Sequence, residues 1–360
     1  MQGARAAYDA RMSMPSAATN ETPFADLTPQ AVLGALDAVG FAGDGRMIQL
    51  NSYENRVFQV FLESGEVVVP KFYRPGRWSD AQILEEHAFA AELAAAEIPV
   101  VAPLALTIAQ TPRDAVLLGG DPPTLAHVLG QRMGVSPRRS GRAPELEDAG
   151  TLEWIGRFIG RIHAVGATRR FVHRGSLDIA TFGIGARDHL LAHDWLPPEV
   201  LPGWRAAVDT ALGEVQRAFD ALPELRTLRL HGDCHLGNIL WSDAGPHFVD
   251  LDDALTGPAV QDLWMLLSGD RASMTRQLGA VLAGYEDFMD FDWRELRLVE
   301  PLRTLRLIHH SAWIARRWGD PAFPPAFPWF AGGAYWGQQT IQLEEQIDAM
   351  REAPLGAPPG

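Results

Sequence analysis

The sequence is poor in cysteine and lacks long apolar runs, and both shortages limit what the protein can be. Cys234 is the one cysteine among 360 residues, so no intramolecular disulfide can form, which favours a reducing cytoplasm. No apolar run reaches the ~18–20 residues of a membrane-spanning helix, and we expect no membrane association. Residues 1–24 lack the apolar core of a secretory signal and are predicted to be a disordered leader, with Met14 as an alternative start.

Positive charge is also in short supply. Lys and Arg number 31 against 45 Asp and Glu, which gives a net charge of −14. Surfaces that bind nucleic acid need clustered basic residues, so we expect no nucleic-acid partner, although a local basic pocket for one nucleotide is compatible with this charge. Hydrophobic residues make up 47% of the chain, a share that is typical of globular proteins with a sizeable core. We expect a monomer.

Residue patterns predict a β-rich first part. Short runs of β-branched and aromatic residues, "RMIQL", "RVFQVFLE" and "EVVVPKFYR", predict three antiparallel strands, and "DAVLLGG" (114–120) predicts a fourth. A helix is predicted over 28–39, with Thr28 as N-cap and Pro29 at the first helical position. A second helix is predicted over 79–96, where a serine N-cap and a glutamine three residues later form a capping box.

The remainder is predicted to be mainly helical. Residues 130–146 are rich in Gly, Pro, Ser and Arg, which predicts a mobile loop. Beyond them, apolar residues recur with a helical period over 147–165, 202–220, 259–269, 274–289, 295–317 and 334–351. Strand-like runs interrupt this pattern at 228–230, 238–241 and 247–251. A β-rich N-terminal part therefore leads to a mostly helical C-terminal part.

The stretch "LHGDCHLGNILWSDAGPHFVDLDD" (230–253) crowds polar groups between short apolar runs. Two short strands flanking a tight loop would bring Asp233, Asn238 and Asp250 to one end of a hairpin. One carboxylate could then meet a hydroxyl, while an amide oxygen and a second carboxylate share a hard cation with phosphate oxygens. Phosphoryl transfer needs such a carboxylate and such cation ligands, because its catalysis is mostly positioning and electrostatic stabilisation.

The spacing His-Gly-Asp-x(4)-Asn parallels the kinase pattern His-Arg-Asp-x(4)-Asn, and "VDLDD" stands where kinases carry Asp-Phe-Gly. Upstream, Lys71 lies in the third predicted strand of a chain with very few lysines. Its predicted partner is a glutamate of the next helix, Glu86 by preference, with Glu85 as the alternative. The loop "LNSYENRVF" stands where a phosphate-covering loop belongs but is not Gly-rich, so Ser52 and nearby backbone N–H groups are expected to contact the nucleotide.

Several long segments resemble the stress response kinase A family, which are bacterial serine/threonine protein kinases within the aminoglycoside phosphotransferase-like kinases. The similarity runs from about residue 24 to 352, and it is carried by "LNSYENRVFQV", "KFYRPGRWSDAQILEEHAFA", "LRLHGDCHLGNILW", "FVDLDDALTGPAVQDLWMLL" and "RRWGDPAFPPAFPW". The resemblance implies an ATP- and Mg²⁺-dependent kinase that acts on Ser/Thr hydroxyls of proteins in a response to stress, with its own chain as one candidate substrate.

The resemblance also implies a role for each matching residue. Asp233 would be the catalytic aspartate, and Asn238 and Asp250 would hold Mg²⁺, which makes Asp250 part of the catalytic set as well. Ser52 would lie against ATP and Lys71, paired with Glu86, would contact the phosphates. Asp262 in "VQDLW" would brace the catalytic loop through its backbone.

The fold implied is α+β and bilobal, like that of protein kinases, with a small β-rich N-lobe and a larger helical C-lobe. The boundaries expected are an N-lobe over 25–120, a C-lobe over 121–352 and a flexible tail over 353–360. Within the C-lobe, 231–238 is the expected catalytic loop and 248–253 the expected metal-binding segment.

Two features depart from the family pattern. Pro70 precedes Lys71 and removes a backbone N–H, so the strand is expected to be bulged or unpaired there. The segment "VLLGGDPPTLAHVL" is unlike the family where the adenine hinge should lie, which leaves Leu117 and Leu118 as candidates.

Plainer interpretations remain open at this stage. The three polar residues of the loop could be ordinary turn residues, and His235 and His247 could bind zinc together with Asp233. Asp252 is either a support for the metal ligands or a solvated side chain, and Cys234 is interpreted as a small packed residue. The alternative functions are a small-molecule kinase of the same fold, acting on an amino alcohol, a sugar or an antibiotic, and a nucleotide-binding regulator without turnover.

Overall fold

The computed structural model describes residues 23–108 and 115–356, so most of the predicted leader lies outside the described residues. Its first part is an antiparallel sheet with the strand order β1-β2-β3-β6-β5-β4. These strands are β1 Gly43–Leu50, β2 Arg56–Leu62, β3 Val67–Tyr73, β4 Ala115–Leu118, β5 Leu125–Val128 and β6 Gln131–Pro137. The predicted strands are confirmed as β1 to β4. Helix α1, Pro29–Ala38, begins as predicted, with the Thr28 side chain accepting from the N–H of Ala31.

The mobile loop predicted over 130–146 is wrong for its first half. Residues 131–137 form β6, which pairs with β3 along its whole length, from Val68↔Pro137 to Tyr73↔Arg132. The Gly and Pro residues of this segment made it resemble a loop. It forms a strand because packing inside the sheet outweighs its local propensity. The sheet therefore continues past residue 120, and we place the end of the N-lobe after Pro137.

The strand order also shows that neither candidate for the adenine hinge lies where the sheet leads into the helical lobe. Leu117 and Leu118 lie in β4, which is an edge strand of the sheet, and they pack against the apolar clusters of the N-lobe. The strand that lies beside β3 and leads toward the helical lobe is β6. The strand order was the missing information, since sequence alone does not show which strand neighbours β3.

Pro70 is accommodated without a change of register. Strands β2 and β3 pair at Val57↔Lys71 and again at Val60↔Val68, and the positions between are skipped. On the other side, Pro70 pairs with Val135 in continuous register with β6. The expected loss of pairing is therefore confined to the β2 side, where the missing N–H falls.

Helix α2, Asp80–Ala95, connects the two lobes. It begins at the predicted capping box, in which Ser79 and Gln82 satisfy each other's backbone N–H groups. Its first half packs Ile83 against Tyr73 of the sheet, whereas Phe89 and Leu93 are buried in the apolar core of the helical lobe. The helix is thus fixed to both lobes.

The second lobe is mostly helical. Its helices are α3 Ala149–Gly166, α4 Gly185–Ala192, α5 Leu201–Asp220, α6 Gln261–Trp264, α7 Arg271–Tyr285, α8 Val299–Arg316, α9 Phe323–Ala326 and α10 Gly333–Arg351. Its short strands are β7 Leu228–Leu230, β8 Ile239–Ser242, β9 Gly245–Phe248 and β10 Leu255–Gly257. The helix predicted over 259–269 is only the single turn α6, and α4 was not predicted.

The core is divided in the way the sequence predicted for two lobes. One large apolar cluster lies in the helical lobe and a separate one lies under the sheet. The predicted flexible tail is held down as far as residue 356, because Leu355 is buried in the helical core and Arg271 donates to the carbonyls of Ala353 and Pro354. No helix of the described part of the chain combines the length and apolar character needed to cross a bilayer.

Candidate active site

The β8–β9 hairpin brings the three polar residues of the loop together. Ile239 pairs with Phe248 at the base of the hairpin, and the N–H of Val249 donates to the carbonyl of Asn238 at 3.0 Å. Asn238 therefore lies beside the segment that continues into Asp250. The Nδ2 of Asn238 also donates to the Asp233 carbonyl at 2.9 Å, which holds the two ends of the loop in place. Asp233 and Asn238 are therefore in contact at one end of the hairpin, and Asp250 follows Val249 at the same end.

Buried polar contacts hold this loop rigid from below. Asp262 is 1% exposed and accepts from the N–H groups of His231 and Gly232, each at 2.8 Å, and from His163 Nε2 at 3.0 Å. The predicted bracing contact between Asp262 and the loop backbone is therefore present. Gly232 has a φ of +85°, and a Cβ there would lie 2.2 Å from the Asp253 carbonyl, so only glycine lets the two segments approach.

We expect Asp262→Asn to lower the free energy of unfolding by about 3 kcal/mol, because an amide nitrogen would face buried donors that now share one carboxylate. Urea denaturation followed by circular dichroism measures the change. The control is Asp348→Asn, which removes an exposed carboxylate 3.9 Å from Arg351 and should cost under about 1 kcal/mol. Equal midpoints for the two variants would contradict the bracing role.

Asp233 lies between three donors. Its Oδ1 accepts from Arg306 Nη1 at 2.6 Å, and its Oδ2 lies 3.4 Å from His235 Nε2 and 3.5 Å from Asn238 Nδ2. Burial alone would raise the pKa of Asp233, but the hydrogen bond from His235 and the charge of Arg306 outweigh it and hold the pKa below its usual range. The carboxylate is therefore ionised at neutral pH and can accept a hydrogen bond from a hydroxyl.

Lys71 reaches across from the sheet to the segment after β9. Its Nζ lies 2.8 Å from Asp250 Oδ1 and 3.5 Å from Asp252 Oδ1. Burial opposes the charge on this amine, but the two carboxylates raise the pKa of Lys71 well above its ordinary value. Asp250 itself takes a left-handed backbone conformation, with φ 61°, and that turn aims its side chain at Lys71.

The predicted ion pair between Lys71 and Glu86 is not formed, because the lysine is held by the two aspartates instead. Glu86 is 6% exposed, and its Oε2 has no hydrogen-bond partner. Burial is the main reason that the pKa of Glu86 rises to about 7. Glu85, the alternative partner, accepts the N–H groups of Val172, His173 and Arg174 at 2.6–2.8 Å and so ties α2 to the helical lobe.

The donor set suits a hard cation. Asn238 uses its Nδ2 to contact Asp233, so its amide oxygen stays available as a ligand. The Asp250 side chain is 53% exposed, and Lys71 engages its Oδ1. An amide oxygen and a carboxylate, with room for water and phosphate oxygens, are ligands that Mg²⁺ accepts. The residues present therefore fit the predicted metal.

Asp252 is buried and supports the site, in agreement with the first of the two interpretations that the sequence allowed. It is 2% exposed, accepts from Asn55 Nδ2 at 3.1 Å and pairs with Arg77. Burial would raise the pKa of Asp252, but Lys71 and Arg77 lower it. Arg77 also reaches Asp253 at 2.5 Å, so one arginine of the N-lobe organises the whole "LDD" segment.

The loop between β1 and β2 is anchored to the C-terminal end of α8 in the helical lobe. Glu54 accepts from Trp313 Nε1 at 2.7 Å and from Arg317 Nη2 at 2.9 Å, and Arg74 lies 3.2 Å from the same carboxylate. Ser52 accepts the N–H of Asn55 at 3.3 Å, which shapes the turn, and its predicted contact with ATP stays a prediction.

Sequence reasoning missed Arg77, Asn55, Glu54 and Arg306. Arg77, Asn55 and Glu54 lie in the segments that carried the family resemblance, which was the available signal, whereas Arg306 lies outside all of them. Their partners are distant in sequence: Asn55 and Asp252 are 197 positions apart, and Glu54 and Arg317 are 263. No spacing rule connects such pairs.

The zinc interpretation finds no cluster to support it. His235 lies near Asp233, but in the part of the chain that the structure describes, no group of three or more His, Cys, Asp or Glu side chains could hold a metal ion. Cys234 is buried, and burial raises the pKa of its thiol well above the ordinary value, as expected of a packed residue.

Comparison with known structures shows the same fold in small-molecule kinases. The amicoumacin kinase hAmiN, in complex with AMP-PNP, Ca²⁺ and Ami, superposes with a TM-score of 0.65 at 16% identity, covering 91% of this chain and 94% of that one. A microcompartment-associated aminopropanol kinase has a TM-score of 0.62 at 16% identity, covering 89% of this chain and 97% of that one. These likenesses show the fold and confirm the bilobal α+β architecture.

Sequence comparison gives the family. Stress response kinase A of Salmonella choleraesuis is 43% identical over 340 residues, which are 94% of this chain and 98% of that protein. A Salmonella typhimurium protein named serine/threonine protein kinase RdoA has the same identity and coverage, and stress response kinase A of Escherichia coli K12 is 42% identical over 336 residues, 93% of this chain and 97% of that protein. The model of the phosphotransferase enzyme family (APH) matches residues 47–299. The chain therefore belongs to this phosphotransferase enzyme family, as a relative of the stress response kinases.

Proposed function

We propose that the protein is an ATP- and Mg²⁺-dependent serine/threonine protein kinase. The observation that carries the proposal is that Asp233, an ionised carboxylate, contacts Asn238 just before β8, while Lys71 crosses from the sheet to Asp250 just after β9. A group that could receive a hydroxyl and groups that could bind a nucleoside triphosphate thus lie at the open end of the same hairpin. Activity on proteins is supported by the names of the relatives at 42–43% identity.

The reaction forms a bond between the acceptor oxygen and the γ-phosphorus while the bond from that phosphorus to the bridging oxygen of ADP breaks. Asp233 orients the acceptor hydroxyl and takes up its proton as the new ester forms. Lys71 pairs with phosphate oxygens of the nucleotide. Asn238 and Asp250 would hold Mg²⁺, which would neutralise charge on the phosphate oxygens.

The loop over 51–55 forms the cover of this site. Its anchor on Glu54 joins the N-lobe to α8 and fixes the loop above the crevice, where Ser52 and its neighbours contact the nucleotide.

A small-molecule kinase is the second candidate, because every solved structure named above is one. The experiment that separates the candidates is incubation with labelled ATP and Mg²⁺, alone and with proteins or metabolites of a cell extract. We expect label on serine or threonine of proteins, this chain included, with mapping by mass spectrometry. Label confined to the metabolite fraction would favour the second candidate, and a protein without turnover would label neither.

Cellular setting follows from the same proposal. The relatives are named for stress response, and the single buried cysteine suits a reducing compartment. We infer a monomeric cytoplasmic enzyme that works in stress conditions, with proteins and ATP as its partners.

A further inference from the structure

We propose that Arg306 selects the acceptor, favouring hydroxyls that lie beside an anionic group and disfavouring those beside an amine. The inference rests on the proposed function, since it takes Asp233 as the residue that faces the acceptor hydroxyl. In a peptide, the favoured acceptor is a serine or threonine with acidic neighbours.

The first support is the position of the guanidinium. Arg306 Nη1 donates to Asp233 Oδ1 at 2.6 Å, whereas the other carboxylate oxygen faces His235 and Asn238 inside the loop. The Arg306 side chain is 45% exposed against 22% for Asp233. Arg306 therefore stands on the solvent side of the carboxylate, which is the side from which an acceptor must approach.

The second support is the charge around Asp233. The guanidinium of Arg306 is the positive charge in contact with it. The carboxylates nearby are already paired, Asp250 with Lys71 and Asp252 and Asp253 with Arg77. An ammonium group would thus meet like charge at the entrance, where direct juxtaposition of like charges is unfavourable.

Arg306 retains donors for an incoming anion. A guanidinium has five N–H donors in a planar fork that matches a carboxylate. Among the residues that the structure describes, the hydrogen bond of Arg306 goes to Asp233 Oδ1 alone. An acidic side chain of the acceptor can therefore bind the remaining edge of the fork without displacing Asp233.

The same face of α8 continues as a wall suited to a peptide. Arg306, His310 and Trp313 follow the helical spacing i, i+4, i+7. The His310 ring stacks on Trp313, with centroids 5.6 Å apart and planes 22° apart. Trp313 reaches Glu54 of the covering loop, and the exposed Tyr53 of that loop lies 5.0 Å from Phe327. This face of α8 therefore combines one guanidinium, that of Arg306, with aromatic rings.

The test compares three peptides that share one serine and carry Glu, Gln or Lys on both sides of it. For the wild-type protein we expect kcat/KM to be higher for the Glu peptide than for the Lys peptide by roughly tenfold. Arg306→Gln should reduce that ratio to within about threefold, Arg306→Glu should invert it, and Arg306→Lys should keep its direction. The matched control is Arg303→Gln on the same helix, where Arg303 pairs with Glu300 at 2.8 Å, and it should keep the wild-type ratio.

A fall of equal size for all three peptides in Arg306→Gln would overturn the inference, because a purely structural role would lower them together. A wild-type preference for the Lys peptide would also overturn it. A second panel, a small hydroxy acid against an amino alcohol of equal size, separates this inference from the proposed function. If peptides are inert but the hydroxy acid is preferred and Arg306→Glu inverts the preference, the role of Arg306 holds and protein kinase activity fails.

Discussion

Asp233→Asn should reduce phosphoryl transfer by about 10²–10⁴-fold while the affinity for ATP changes little. The asparagine keeps the size of the side chain but removes the negative charge that orients the acceptor hydroxyl. The groups proposed to bind the nucleotide are Lys71 and Asp250, which contact each other, so the loss should appear in kcat. Phosphoryl transfer is measured with labelled ATP and a protein that the wild-type enzyme phosphorylates. Nucleotide affinity is measured by calorimetry with a non-hydrolysable ATP analogue.

The control for this variant is another aspartate bound to an arginine. Asp209→Asn removes a carboxylate that pairs with Arg187 at 2.8 Å and is 51% exposed, far from the catalytic loop in sequence, and should leave both transfer and affinity near wild-type values. If Asp233→Asn transferred phosphate at the wild-type rate, the role assigned to Asp233 would be wrong. If it lost ATP affinity to the same degree as transfer, the separation of acceptor and nucleotide groups would be wrong.

The loss in Asp233→Asn is not expected to come from unfolding. The Asp233–Arg306 pair is partly exposed to water, and such ion pairs contribute under about 1 kcal/mol to stability. Asp262, in contrast, is buried beneath the same loop and accepts three hydrogen bonds. Substitution of Asp233 in the loop should therefore change activity, whereas substitution of Asp262 beneath the loop should change stability.

Local sequence signals predicted the elements whose ends are set by nearby residues. The caps at Thr28 and Ser79 lie three residues from the N–H groups they satisfy, so a short window contains the whole interaction. The β8–β9 hairpin is equally local, and it brings Asn238 into contact with Val249, the residue before Asp250. Where the physical cause lies within a few residues, the sequence was sufficient.

Elements that depend on distant partners were not predictable in this way. Strand β6 has a poor composition for a strand, and it forms because β3 and β5 flank it on both sides. Choice of partner for Lys71 is a similar case. Several carboxylates could reach this lysine, the only one in the chain, and the approach of the two lobes decides among them in favour of Asp250 and Asp252.

Family resemblance singled out segments of the chain, but it did not predict the contacts between them. The residues around Glu54, Arg74 and Arg317 come from three segments that the resemblance had singled out, and the structure joins them into one ionic cluster. Spacing within each segment gives no reason for that contact. The cluster is instead a property of the interface between the lobes, where charged groups are paired and partly buried.

Asp250→Asn should abolish the Mg²⁺ dependence of nucleotide binding and lower transfer by about 10³-fold. In the wild-type protein we expect Mg²⁺ to tighten nucleotide binding by roughly tenfold or more, since Asp250 is the charged ligand proposed for the metal. Asparagine tolerates the left-handed backbone at this position, φ 61°, better than most residues. The substitution therefore removes charge without forcing the turn to change.

The measurement is a titration of a non-hydrolysable ATP analogue with and without Mg²⁺, for the wild-type protein, Asp250→Asn and Asp253→Asn. Asp253 follows three residues later and pairs with Arg77 at 2.5 Å, so its variant should retain the Mg²⁺ effect. Without Mg²⁺, Asp250→Asn should bind the analogue at least as tightly as the wild-type protein, because Lys71 loses a competing carboxylate at 2.8 Å and is freer to meet the phosphates. An undiminished Mg²⁺ effect in Asp250→Asn would mean that the metal is held elsewhere, and a weakened affinity without Mg²⁺ would mean that Asp250 organises the lysine instead of competing for it.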